Sequence, residues 1–148
     1  MVAAITDLAE ALSYRNDEVV ARFCADHGYT LEQGHEIFIE TKRWLWLCAH
    51  HAAAGHPGHS LSMSEEMMVI DEMWHTFLLF TFDYADFCQR YLGRFVHHQP
   101  TSALTKSSMT PEKRLKILEG NYEYIYDHLG ADVLKRWVEE FPDRYPVR

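Results

Sequence analysis

A chain of 148 residues, 47% hydrophobic and 14% aromatic, is long enough to bury one packed core, and this composition excludes disorder. The formal net charge of -8 argues against nucleic acid as a partner and disfavours docking on an anionic membrane surface. Cys24, Cys48 and Cys88 are odd in number and widely spaced, which suits neither a disulfide framework nor a paired-cysteine zinc site. Reduced, buried thiols in a cytoplasmic protein are the expectation.

The opening "MVAAITDLAEALSYR" has no basic stretch ahead of an apolar one and is not expected to be a signal peptide. Ile5, Leu8, Ala9 and Leu12 predict a first helix by their three- and four-residue spacing. A second starts at Asn16 as N-cap and runs through Val19, Val20, Phe23 and Cys24 to Gly28. "TLEQ", Thr30 to Gln33, has capping-box form and opens a long third helix through Ile37, Trp44, Leu45 and Leu47, with Gly34 weakening its first turns.

"AGHPGHSLS" is a turn-rich break. "SMSE", Ser62 to Glu65, is a second candidate capping box, opening a helix that ends or bends near Thr81. Tyr84, Phe87, Cys88 and Tyr91 then form a helical stripe that stops at Gly93. Gln99 to Met109 reads as a polar, flexible linker. Thr110 caps the next helix with Pro111 at its first position, and the helix runs through Leu115, Leu118, Tyr122 and Ile125 to Gly130. A last short helix, about Asp132 to Phe141, stops at Pro142. No stretch has the length and apolarity of a membrane span. The expectation is all-α: a single compact domain, 1–148, of about six or seven helices.

The helix before Thr81 poses the functional question. "IDEMWHTFLLFTFDY" is apolar nearly all round, the mark of a buried helix, yet it holds Asp71 and His75. A buried carboxylate needs a partner. Asp71 and His75 lie four apart and share a helical face. A hairpin of two helices brings "FVHHQP" back toward them, and in an extended segment only one of His97 and His98 need face inward. With Phe95 taken as the core anchor, the two-residue period favours His97. One carboxylate with two imidazoles suits zinc with an open position, or non-haem iron. The competing reading is a structural Asp71–His75 pair without metal.

The other histidines carry less. His50, His51, His56 and His59 are expected in or beside a solvated loop, and His27, His35 and His128 at surfaces or helix ends. Trp44, Trp46, Trp74 and Trp137 are expected mostly in the core. Cys88 falls on an apolar stripe, so an inert buried thiol is expected there rather than a nucleophile. The chain has no GxGxxG, P-loop, HExxH or GxSxG.

Trp74, His75, Leu79, Tyr84 and Cys88, in "WHTFLLFTFDYADFC", resemble the signature of the glycine-rich domain-containing protein-like family. Phe77 stands where that signature has a second histidine, and Thr81 where it has a proline. Small bacterial proteins that continue into a "GxFxHHxP" segment look closer, extending the likeness to Pro100. The resemblance implies a helical domain and no defined activity. From the residues themselves, the first expectation is a small helical metal-binding protein and candidate metalloenzyme. Its ligands to zinc or iron would be Asp71, His75 and His97 or His98, with Trp74 and Tyr84 framing the pocket. The second is a non-enzymatic interaction module whose acidic surface serves a protein partner.

Overall fold

Asn16 and Thr30 accept hydrogen bonds from backbone N–H groups three residues on, and so mark the starts of the first two substantial helices. The computed structural model describes residues 4–55, 61–99 and 103–147. It is 77% helical, with no strand among the described residues. Helix α1 spans Leu8–Ser13, α2 Asp17–His27 and α3 Leu31–Ala53. The capping box at Thr30 and Gln33 forms in both directions. Gly34 is a point of close approach: the side chains of Cys24 and Val20 on α2 occupy the space a Cβ would need.

α3 carries Ile37, Phe38, Trp44, Leu45 and Leu47 into the core and packs along α1, α2 and α4. The expected second capping box is not made. Ser64 heads a 3-10 turn, Glu65–Met67, without a side-chain cap, and α4 follows at Met68–Leu79. The chain leaves helical geometry at Phe80, with ψ at 68°, and α5 runs Thr81–Phe87 into a π-helical turn, Cys88–Leu92. Gly93, at φ +71°, ends it in the left-handed region that favours glycine.

Three expectations need correction. Ala103–Ser108 is a helix, α6, inside the segment read as a linker, while 100–102 lie outside the described residues. After α7, Pro111–Leu129, the helical path does not stop at Pro142. It continues as α8, Ala131–Lys135, a π-helical turn, Arg136–Glu140, and α9, Phe141–Arg144. The wider π turn suits a residue that has no N–H to give and whose ring crowds the preceding turn. His50 and His51 belong to the last turn of α3, not to a loop. His51 is buried, and both meet Tyr124 of α7, His50 by a 3.1 Å hydrogen bond and His51 edge-on at 4.8 Å. His128 stacks on the same ring at 4.0 Å. His56 and His59 lie outside the described residues.

Trp44 and Trp137 meet edge to face at 5.9 Å in the core, where Trp74 is also buried, and Trp46 is half-buried. Leu78 is half-buried as well. No helix among the described residues is long and apolar enough to cross a membrane.

Candidate metal centre

α4 is not buried all round. Val69, Ile70, Met73, Trp74 and Phe77 face the core, while Asp71, His75 and Leu79, each one turn from the next, form its outer edge. Asp71 is therefore tolerated for two reasons: its side chain stays 17% exposed, and it has partners. His98 Nε2 donates to Asp71 Oδ1 at 2.7 Å, and His75 Nε2 lies 3.6 Å from Asp71 Oδ2. The imidazoles of His75 and His98 are 4.4 Å apart. One ligand atom from each of the three residues lies within 4.8 Å of the others.

The structure turns His98 to Asp71, not His97. The two-residue period of the extended segment holds, but its phase is set by Val96, which is 8% exposed, rather than by Phe95, which is 46% exposed. His97 faces solvent, with its ring 4.7 Å from that of Phe95. Sequence periodicity could not fix this phase, because Phe95 and Val96 are both apolar and adjacent.

Val96 is held from behind. Tyr84 Oη donates to the Val96 carbonyl and accepts from Trp74 Nε1 at 3.0 Å. Burial pushes the Cys88 thiol up, and the Tyr84 hydroxyl well up, from their ordinary pKa ranges. Neither group ionises at neutral pH under those conditions, which matches the expected inert thiol. The indole of Trp74 packs edge-on against His98, 4.3 Å between centroids. Trp74 thus lies against His98 on the core side, and Tyr84 is bonded to Trp74 and to the Val96 carbonyl behind it. The solvent side is open, since the His75 side chain is 50% exposed. A further acid–histidine contact lies near, His27 Nε2 to Glu72 Oε2 at 3.9 Å, on the neighbouring position of α4.

Sequence reading missed a second buried acid. Glu40, 3% exposed, accepts from Trp137 Nε1 at 2.8 Å, from Arg43 Nε at 3.0 Å and from Arg136 at 3.2 Å. The signal was present, since Glu40 falls three after Ile37 and four before Trp44 on the apolar face of α3.

The UCP032817-like family matches residues 15–124, a stretch that runs from before α2 into α7 and contains the whole site. The chain belongs to that family. No curated protein and no solved structure matches it. In this UCP032817-like chain, the two departures from the Trp-His signature fall away from the site. Phe77 is fully buried against Tyr84, Phe87 and Phe38, so residue 77 points into the core and not toward Asp71. Thr81 opens α5, a first-turn position where proline and threonine are both accommodated.

Proposed function

We propose that this UCP032817-like protein binds one divalent metal ion, zinc or iron, through Asp71, His75 and His98. The observation that carries the reading is the convergence of a carboxylate and two imidazoles, from α4 and from the segment after Gly93, within 4.8 Å. Two imidazoles and one carboxylate leave coordination positions free, and here those positions face solvent on the side of half-exposed His75. A metal held by these residues would replace the hydrogen bond between His98 and Asp71. Bound there, an ion would act as a Lewis acid toward an added oxygen ligand, which is the sense in which the site suits a metalloenzyme. The reading takes residues 1–148 as one cytoplasmic domain, in line with three free cysteines. It also treats the likeness to the glycine-rich domain-containing protein-like family as kinship, carried by Trp74, His75, Tyr84 and Cys88.

Metal analysis of protein purified without an affinity tag tests it. The wild type should carry about one zinc or iron per chain. Asp71→Ala, His75→Ala and His98→Ala should each lose it, and His97→Ala should keep it. A wild type that arrives without metal and takes up none from added zinc or iron overturns the proposal. One observation favours a second reading, a non-enzymatic module with a structural Asp71–His98 pair. Leu79 and Phe82, 64% and 92% exposed, stand together at the α4–α5 corner beside His75. On that reading they meet a protein partner whose basic rim answers the net charge of -8.

A further inference from the structure

We infer that Tyr84 is the positioning residue that sets His98 on Asp71, through a closed circuit of contacts that begins and ends on α4. Trp74, between Asp71 and His75 in sequence, donates to Tyr84 Oη, and Tyr84 donates to the carbonyl of Val96. Two residues on, on the same side of the extended segment, His98 returns to Asp71 Oδ1. Without these bonds the segment after Gly93 is held at this point by side-chain packing, of Val96 in the core and of half-exposed Phe95 on the Tyr84 ring, neither of which fixes the direction of its backbone.

Every member of the circuit behind His98 is buried: Trp74, Tyr84 and Val96. A buried hydroxyl that accepts one bond and donates another fixes both partners in orientation, which a purely apolar ring in its place does not. The ring of Tyr84 has its own packing role, edge-on to Phe77 at 5.0 Å and to Phe95 at 5.2 Å. Removing the hydroxyl alone therefore separates packing from positioning. Outer partners that orient a metal ligand commonly change metal affinity by about 10- to 100-fold when lost. The affinity part of this inference rests on the metal reading, whereas the placement of His98 does not.

The experiment compares wild type, Tyr84→Phe and Ile125→Val, the last a core change on α7 chosen as a stability control. In metal-free protein, proton NMR reads the His98 imidazole through its ring-current displacement by the Trp74 indole and the cross-relaxation between the two rings. Both signatures should be present in wild type and Ile125→Val and lost or averaged in Tyr84→Phe. Zinc titration of the same proteins should show affinity weakened about 10- to 100-fold in Tyr84→Phe and unchanged in Ile125→Val. Trp74→Phe, which removes the N–H that orients the Tyr84 hydroxyl while keeping a ring against His98, should average the His98 signature in the same direction and decides the matter if Tyr84→Phe does not fold. A His98 signature that persists without the Tyr84 hydroxyl, or that Ile125→Val disturbs equally, overturns the inference. A wild type that binds no zinc overturns the metal reading alone, because the His98 signature still reports placement.

Discussion

Two substitutions test packing one residue at a time. A Cβ at Gly34 would overlap Cys24 Sγ and lie 2.9 Å from Val20 Cγ1, and the Cys24 thiol is itself tied to the Thr30 carbonyl at 3.2 Å. Gly34→Ala should therefore destabilise by about 1–3 kcal/mol through overpacking, despite alanine's better helix propensity. Urea unfolding measures it, and a gain in stability would mean that α2 and α3 yield freely. Glu40→Ala leaves Arg43, Arg136 and the Trp137 indole N–H without their shared acceptor, at a cost of about 3–5 kcal/mol. Glu40→Gln, which keeps an acceptor for Trp137, should cost distinctly less. At the site, the choice of His98 over His97 is decided by one side chain, Val96, taking the inward position beside exposed Phe95.

At the level of helices, α1 is fastened to α3 by Lys42. Its Nζ donates to the Leu12 carbonyl at 2.7 Å and also to that of Tyr14, so it caps the open end of α1. Burial, and then the nearby Arg15 charge, bring Lys42 down to about 8 from 10.5. Between about pH 8 and 10.5 the unfolded chain holds a proton that the folded chain has released. Stability from this group therefore rises with pH across that window and is flat below it. Wild type should gain on Lys42→Met as pH rises from 8 to 10.5, read as the difference between their urea midpoints. A constant difference would mean that Lys42 ionises as it does in water. α6 is the weakest element by the same reasoning: six residues, with Leu104 83% exposed. So short a helix is not stable without packing, so limited proteolysis should cut first within 103–109.

Over the whole molecule, the proposed metal binding would couple to folding, because Asp71 and His75 come from α4 and His98 from the segment after Gly93. At about a hundredfold excess over Kd, a ligand of the native state adds about 2.7 kcal/mol. Zinc should then raise Tm by about 5–10 °C in wild type and not in His98→Ala. The rise should shrink on acidification, because only neutral imidazole ligates. The chain's local order could be read from sequence because its causes are local. Asn16, Thr30 and Thr110 cap the helices that follow them, and Gly28, Gly93 and Gly130 mark helix ends, all within a few residues of the backbone groups they serve. The pairing of Asp71 with a histidine was legible for a similar reason, since a carboxylate on a largely apolar helix requires a partner. Tertiary structure alone decided the rest. That Val96 rather than Phe95 turns inward goes with the bond from the Tyr84 hydroxyl to the Val96 carbonyl, made from twelve residues away on another element. His50 and His51 are helical and packed rather than looped because Tyr124, more than seventy residues on, covers them. Helix caps act through neighbours in sequence, whereas side-chain facing is settled by neighbours in space, and only the folded chain supplies those.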